Sequence, residues 1–280
     1  MKEKVCLVTG ANRGIGKATA LGLALRGATV IIHCRNRQLG ETAQEEIVAG
    51  TGNGAIEVMV ADLASLEAVR RLAEAVKRRH ATLHVLVNNA GLAKRRHTLT
   101  EDGLETTFAV NHLAPFLLTN LLLDTIKGSA PARIVNVASM VHRWGRINFD
   151  DLMGQRHYSM GRAYNQSKLA NVLFTYELAR RLEGSDVTVN CVHPGMVVSD
   201  LGREYTGFMG LMANKYWRPF MRSPEKGADT VIYLASSLDV EGVTGKYFAN
   251  RRAVKSSKTS HDPALAQRLW EVSERLTGLA

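Results

Sequence analysis

The sequence predicts an α/β fold in which helices cover both faces of one central parallel sheet, an arrangement known as doubly wound. Two observations carry this prediction. Short apolar runs alternate with amphipathic stretches along most of the 280-residue chain, and this alternation is typical of successive strand–helix units. The strand-like runs are also apolar at consecutive positions, as strands buried on both faces of a parallel sheet must be.

The elements follow one another in a regular order. The predicted strands are residues 5–9, 29–33, 56–60, 83–88, 133–137, 186–192 and 245–249. The predicted helices are residues 14–26, 38–49, 65–79, 104–127, 162–182, 224–237 and 263–276. A less regular, partly helical segment at about 199–223 carries glycines, aromatic residues and methionines, which either wrap an apolar substrate as a flap or belong to the core and interfaces.

No repeat or linker interrupts the pattern, so we expect a single domain over residues 1–280. The net charge of +10 favours anionic ligands, but the basic residues are scattered and we expect no nucleic-acid binding. The longest apolar stretch, residues 112–123, is shorter than the roughly 20 residues that span a bilayer, so we expect no transmembrane segment. Cys6, Cys34 and Cys191 have neither disulfide nor zinc-site spacing, which indicates a reducing, cytoplasmic location and no metal site.

A glycine-rich turn follows the first strand. It reads Thr9-Gly10-Ala11-Asn12-Arg13-Gly14-Ile15-Gly16 and leads directly into a helix. Glycines allow a tight turn and a close approach of the backbone, and the N–H groups and dipole of the helix N-terminus favour a pyrophosphate. Between the first strand and the first helix of a βαβ unit, this triplet predicts a dinucleotide site of the Rossmann type, the alternative being a plain strand–helix turn.

The end of the second strand indicates which dinucleotide binds. A carboxylate there would hold the adenosine ribose of NAD, but the sequence reads His33-Cys34-Arg35-Asn36-Arg37. Guanidinium groups can grip a 2′-phosphate with paired, charge-assisted hydrogen bonds. We therefore predict NADP(H) as the cofactor, with Arg35 as the main contact, Asn36 beside it and Arg13 assisting. The alternative is that these arginines are solvated surface charges.

A candidate proton-transfer pair lies on the long helix. Tyr164 and Lys168 are four residues apart, which places both side chains on one helix face. A phenol has a pKa near 10 and is a poor base at neutral pH, but a lysine ammonium about 5 Å away can lower that value by about two units. The pair can therefore tune a phenol for proton transfer.

Further motifs extend the pattern to the rest of the chain. Asp62-Leu63 follows the third strand, Asn88-Asn89-Ala90-Gly91 follows the fourth, and Pro194-Gly195 follows the sixth. With the glycine turn and the Tyr164–Lys168 pair, they make the sequence resemble the short-chain dehydrogenase/reductase family over nearly its whole length.

The resemblance implies a role for each matching residue. Asn111, Ser139, Tyr164 and Lys168 fall where the family keeps its four catalytic residues. Tyr164 would exchange a proton with the substrate oxygen, Ser139 would hydrogen-bond that oxygen, Lys168 would hold the nicotinamide ribose and lower the tyrosine pKa, and Asn111 would position a water. The cofactor site would comprise Gly10, Asn12, Arg13, Gly14, Ile15, Gly16, Arg35, Asn36, Asp62, Leu63, Asn89, Ala90, Gly91, Tyr164, Lys168, Pro194, Gly195, Val197 and Ser199.

The spacing of 25 residues between Ser139 and Tyr164 indicates an insertion of roughly a dozen residues relative to many family members. With His193-Pro194-Gly195 and Gly245-Lys246-Tyr247-Phe248, it resembles the retinol dehydrogenase branch, which also contains WW-domain oxidoreductases. This implies a lipophilic aldehyde, ketone or alcohol as substrate, and the family suggests a homodimer or homotetramer. The competing hypothesis is a non-catalytic, NADP(H)-binding regulatory protein on the same fold.

Overall fold

The computed structural model describes residues 1–197 and 221–280. Its strands are β1 (Val5–Thr9), β2 (Thr29–Cys34), β3 (Ile56–Val60), β4 (Val85–Asn88), β5 (Ala132–Val137), β6 (Val187–Val192), β7 (Lys246–Ala249) and β8 (Arg252–Ala253). Its longer helices are α1 (Gly14–Ala24), α2 (Arg37–Thr51), α3 (Leu66–Arg79), α4 (Thr106–Lys127), α5 (Met160–Arg181), α6 (Pro224–Ser236) and α7 (Pro263–Thr277).

The strands form one sheet in the order β3-β2-β1-β4-β5-β6-β7-β8. Strands β1 to β7 pair in parallel, and β8 pairs antiparallel with β7 at the edge. The chain order reverses between β1 and β4, which is where doubly wound sheets open a crevice for ligands at the carboxyl ends of their strands. The predicted fold class is confirmed.

The buried strands divide their side chains between two cores. Leu7 of β1 is in register with Ile31 of β2 and Leu86 of β4, and these side chains pack with α3, α4 and α5 on one face. Their neighbours along the strands, such as Val8 and Ile32, pack with α1, α2 and α6 on the other face. Because successive strand residues point to opposite faces, strands covered on both sides must be apolar throughout.

The helix starts follow from local capping. Ser65, Ser159 and Ser223 each accept a backbone N–H of the first turn of α3, α5 and α6 respectively. Such caps satisfy donors that have no partner within the helix. The observed ends of the helices and strands lie within one helical turn of the predicted ends.

Several short elements had no clear signal in the sequence. These are β8, the 3-10 turns Met140–Trp144 and Lys258–His261, and a π-helical turn, Ala109–Leu113, inside α4. Each is only two to five residues long, which is too short to show a hydrophobic period. Of the predicted flap, only residues 221–223 belong to the described part of the chain, and Arg222 there pairs with Val197 in a short parallel bridge.

Helix α4 is apolar and long enough, by composition and length alone, to cross a membrane. In the structure, however, 78% of its most apolar window is buried inside the protein. Phe116 of this helix packs against Phe174 of α5 and Trp270 of α7, at ring-centroid distances of 5.4 and 4.9 Å. Its apolar character is therefore accounted for by packing in the core.

Candidate active site

The glycine-rich turn between β1 and α1 forms a narrow cradle at the carboxyl edge of the sheet. Gly10 and Gly14 have φ angles of 64° and 56°, in the left-handed region that glycine adopts at little cost. Gly16 is needed for another reason, since a Cβ there would collide with the Gly10 carbonyl oxygen. The side chain of Arg13, the residue that precedes α1, does not cap the helix. The cradle thus fits a pyrophosphate, which the first N–H groups of α1 can bind.

The strongest structural requirement in the cradle is at Gly16. We expect Gly16→Ala to raise the dissociation constant for the nicotinamide cofactor at least about tenfold and to lower the free energy of unfolding by about 1–3 kcal/mol, because the added methyl group forces the turn open. Cofactor titration and urea denaturation would measure the two effects. Gly54→Ala is the control, since a Cβ at Gly54 meets no atom within 4 Å. Equal effects of the two substitutions would contradict the role of the close approach.

Asn89 holds the cradle to the end of β4. Its Nδ2 donates to the carbonyl oxygens of Thr9 and Gly10 at 2.7 and 3.3 Å. The Thr9 hydroxyl in turn accepts the N–H groups of Asn89 and Ala90 at 2.9 and 3.0 Å. These bonds join the two strands that border the crevice, and they place Asn89 and Ala90 beside the cradle.

His33, to which the sequence motifs assign no role, contacts the cradle. Its Nδ1 accepts the Gly10 N–H at 3.4 Å, and its Nε2 lies 3.1 Å from the carbonyl oxygen of Ala61. A carbonyl oxygen can only accept, so Nε2 carries the proton and the ring is neutral. Burial lowers the pKa of His33 to about 4, which keeps it neutral at physiological pH. The signal in the sequence was an ionisable residue at the end of an otherwise apolar strand.

The predicted adenosine-side residues lie at the ends of β2 and β3. Arg35 and Asn36 are exposed directly after β2, and Asn36 also caps α2 by accepting the Leu39 N–H at 3.0 Å. Asp62 is exposed after β3 and accepts the Ala64 N–H at 2.9 Å. Leu63, in contrast, is buried in the core. Arg35 and Asp62 therefore face solvent at the same edge of the sheet as the cradle.

Lys168 is buried beside Tyr164 on α5. Its Nζ donates to the carbonyl oxygen of Val137, the last residue of β5, at 2.9 Å and lies 5.6 Å from the centroid of the Tyr164 ring. Burial lowers the pKa of Lys168 to about 8. The structure thus brings Tyr164 and Lys168 together at the end of β5. Burial makes the charged form of Lys168 less favourable than it is in water.

Asn111 lies in the π-helical turn of α4. Its amide exchanges two hydrogen bonds with the backbone of Leu92, each of 2.8 Å, and donates to the Ser167 hydroxyl at 3.0 Å. A Cβ on Gly91 would lie 3.3 Å from Asn111 Oδ1 and 3.5 Å from Lys168 Nζ. The backbone of Gly91 therefore lies close to both the Asn111 side chain and Lys168 Nζ. The two hydrogen bonds to Leu92 let the Asn111 side chain fix the loop after β4.

Ser139 follows β5 and begins a 3-10 turn. Its hydroxyl accepts the Val141 N–H at 3.4 Å, so the hydroxyl proton is left to donate. Lys168 is anchored to Val137, only two residues earlier. The end of β5 therefore carries both the serine and the acceptor that holds the lysine.

The segment after β6 closes the site on the side of α6. Gly195 has a φ of 92°, and a Cβ there would lie 2.8 Å from the Arg222 side chain. Val197 and Ile15 both approach Gly227 of α6. Of the predicted nicotinamide-side residues, Pro194 and Gly195 thus sit at the carboxyl end of β6 and Val197 close by, whereas Ser199 lies outside the described residues.

A wide cavity among the described residues lies elsewhere. It has a volume of about 1080 Å³ and is lined by Lys4, His84, Arg133 and Asp186, among others. These residues flank the amino ends of the strands, opposite the cradle. Because ligands of doubly wound sheets bind at the carboxyl ends, we place the site at the cradle. The described residues also contain no group of three or more His, Cys, Asp and Glu side chains that could hold a metal ion.

Known proteins of similar sequence and fold identify the family. The family described as short chain dehydrogenase matches residues 4–208. Mouse retinol dehydrogenase 12 is 45% identical over 276 residues, covering 99% of this chain and 87% of the relative. Human retinol dehydrogenase 13 is 46% identical over 283 residues, covering 99% and 85%.

Solved structures match over similar lengths. A crystal structure of a protein from Mycobacterium paratuberculosis aligns with a TM-score of 0.80 and 35% identity, covering 99% of this chain and 94% of that one. Pseudomonas aeruginosa RhlG, solved as an NADP active-site complex, aligns with a TM-score of 0.72 and 29% identity, covering 89% and 94%. The chain therefore belongs to the short-chain dehydrogenase/reductase family, in its retinol dehydrogenase branch, and is an oxidoreductase that acts on CH–OH groups with a nicotinamide cofactor.

Proposed function

We propose that the protein is an NADP(H)-dependent oxidoreductase that interconverts a lipophilic aldehyde or ketone with its alcohol, retinal and retinol being representative substrates. The observation that carries the proposal is the buried Lys168 ammonium beside the Tyr164 ring, at the same sheet edge as the cradle. The retinol dehydrogenase relatives, about 45% identical over almost the whole chain, support the substrate class.

The proposed chemistry assigns proton handling to the protein. The bound cofactor supplies or accepts the hydride. Tyr164 gives its phenolic proton to the substrate oxygen during reduction, or takes it back during oxidation, and Lys168 stabilises the phenolate form. Ser139 donates a hydrogen bond to the same oxygen as negative charge develops on it. Asn111 would hold a water near Lys168, through which the proton reaches solvent.

The choice of NADP(H) rests on charge at the end of β2. Arg35 is exposed there, where NAD-binding members of this fold place a carboxylate. The nearest acid along the chain, Glu41, already faces Arg37 at 3.6 Å. A 2′-phosphate would therefore meet a positive surface, and RhlG, which was solved with NADP, lends support.

Arg35→Asp is expected to reverse the cofactor preference. Loss of charge-assisted hydrogen bonds to the 2′-phosphate costs about 1.5–3 kcal/mol, which corresponds to a KM for NADPH about ten to a hundredfold higher, while the KM for NADH falls. Steady-state kinetics with both cofactors would measure the ratio. Arg37→Asp is the matched control, two residues further on and equally exposed. An unchanged NADPH/NADH ratio in Arg35→Asp would refute the assignment.

The substrate class is tested with purified protein and NADPH. All-trans-retinal, medium-chain aldehydes, steroid ketones and small polar ketones would be compared by NADPH consumption, and we expect the highest kcat/KM with the apolar carbonyl compounds. A preference for the polar ketones would overturn the substrate class. Tight NADPH binding with no turnover across the panel would favour the regulatory protein instead.

Homo-oligomeric assembly and a cytoplasmic location stay predictions. Light scattering of the purified protein would measure the assembly.

A further inference from the structure

A buried histidine lies directly behind Ser139. His142 belongs to the 3-10 turn that Ser139 begins, and its side chain has no exposed surface. Its Nδ1 lies 2.7 Å from the carbonyl oxygen of Ser139, and its backbone N–H donates to the same oxygen at 3.2 Å. Two hydrogen bonds from one residue thus hold the carbonyl group of the serine that we place at the substrate oxygen.

The other ring nitrogen of His142 contacts a distant part of the chain. Nε2 accepts the backbone N–H of Ser257 at 3.0 Å, and the ring packs on Tyr247 of β7 with centroids 4.8 Å apart. The segment that carries Ser257 is itself fixed, because the buried Ser256 hydroxyl lies 2.7 Å from the hydroxyl of Tyr176 on α5. His142 therefore bridges the serine and an anchored C-terminal segment.

The partners determine which nitrogen of His142 carries the proton. The Ser139 carbonyl oxygen can only accept and the Ser257 N–H can only donate, so Nδ1 is protonated and Nε2 is not. Only this neutral tautomer satisfies both contacts. The arrangement is therefore specific to an imidazole, whose two nitrogens can donate and accept on opposite sides.

We propose that His142 is a positioning residue that orients Ser139 through its backbone carbonyl and thereby couples the segment around Ser257 to turnover. The proposal rests on the proposed role of Ser139. The Ser139 hydroxyl accepts the Val141 N–H from the same turn, so a rotation of the Ser139 peptide would also turn its hydroxyl. A tilted hydroxyl would donate less well to the substrate oxygen, where a small misplacement has a large effect on rate.

Substitutions of His142 separate the two contacts. His142→Leu removes both and should lower kcat for all-trans-retinal about tenfold, with KM and the dissociation constant for NADPH changed less than about twofold. His142→Asn retains a donor close to the position of Nδ1 and should restore kcat to within about threefold of the wild type. Equal kcat values for the Leu and Asn variants would overturn the proposal, because a purely structural histidine predicts no such rescue.

The contact between His142 and Ser257 can be tested separately. Ser257 has a φ of −68°, which proline adopts without strain, so Ser257→Pro deletes the N–H that His142 accepts. Proline also removes the hydroxyl that accepts the Ser260 N–H, and Ser257→Ala controls for that loss. We expect kcat for Ser257→Pro to be about three to tenfold lower than for Ser257→Ala at equal cofactor affinity. Equal kcat values in two folded variants would show that Ser257 is not coupled to the reaction.

A spectroscopic readout distinguishes failure of this proposal from failure of the proposed function. In protein labelled with 15N-histidine, the His142 resonances, assigned by their loss in His142→Asn, should show a neutral ring protonated at Nδ1. In uniformly 15N-labelled protein, the Val141 amide resonance should shift more in His142→Leu than in His142→Asn. If retinal is not turned over but both signatures are present, the proposed substrate class fails and the proposed role of His142 stands. A ring protonated at Nε2 overturns the proposed role of His142 whatever the substrate is.

Discussion

Tyr164→Phe is expected to lower kcat about a thousandfold while the dissociation constant for NADPH changes by less than about threefold. The substitution removes one oxygen, which is the proposed proton donor, and a positioned acid contributes about 10²–10⁴ in rate. The ring remains beside Lys168, so the packing that holds the lysine is kept. Single-turnover kinetics with NADPH and all-trans-retinal would measure the chemical step directly.

Tyr233→Phe provides the matched control for this substitution. Tyr233 lies on α6, where its ring lies 5.7 Å from the guanidinium of Arg251, and loss of its hydroxyl should leave kcat within about threefold. Turnover by Tyr164→Phe close to the wild-type rate would remove the proposed mechanism. Loss of NADPH binding in the same variant would show that Tyr164 serves the cofactor site more than the proton transfer.

Lys168→Met is expected to lower kcat about a hundredfold and to weaken cofactor binding. With the 5.6 Å between Nζ and the Tyr164 ring as the separation and an effective dielectric constant of about 20, the ammonium stabilises a phenolate by about 3 kcal/mol, which is about two orders of magnitude in rate. Methionine nearly preserves the shape of the side chain, so the effect reports the loss of the charge together with the hydrogen bond to Val137. The pH dependence of kcat for alcohol oxidation should move to higher pH in the variant.

The same substitution should leave the free energy of unfolding nearly unchanged near pH 7. Burial lowers the pKa of Lys168 from 10.5 to about 8, so near pH 7 the folded state carries a charge that costs about 3 kcal/mol. Removing the charge offsets the loss of the hydrogen bond to Val137, which is worth about 1–3 kcal/mol. Lys168→Met should therefore be about as stable as the wild type near pH 7, despite its loss of activity.

The sign of the pH effect follows from linkage. Between pH 8 and pH 10.5 the unfolded state binds more protons at Lys168 than the folded state, so the free energy of unfolding of the wild type rises with pH relative to Lys168→Met. Urea denaturation of both proteins near pH 7 and near pH 10 would measure the difference. The exposed Lys77 gives the control variant Lys77→Met, for which we expect no such change. A wild type that loses stability relative to Lys168→Met over this range would contradict the buried-charge account.

Much of the cradle could be predicted because its requirements are local. Gly10 and Gly14 adopt backbone angles that glycine favours, and they are spaced as a strand–turn–helix unit demands. The close approach at Gly16 involves Gly10 and Asn89, and Asn89 comes from another strand. Its motif could be recognised by resemblance, but the reason for the glycine is visible only in three dimensions.

His33 and His142 show where prediction from the sequence ends. Each bridges segments that are distant in the chain, His33 between β1 and β3 and His142 between Ser139 and Ser257. In the sequence, a histidine in an apolar run looks the same whether it is a hydrogen-bonded core residue or a residue that positions a functional site. Only the positions of its two nitrogen partners distinguish these cases, and those partners come from other elements.

The sequence by itself determined the α/β class, the positions of the main strands and helices, and the family, because hydrophobic period, capping residues and ordered motifs are properties of short stretches of chain. Tertiary structure decided the low pKa of Lys168, the neutral tautomers of His33 and His142 and the link from Ser257 to Ser139. These depend on burial and on hydrogen bonds between distant segments. Desolvation is set by everything that packs around a group, and no local pattern records it.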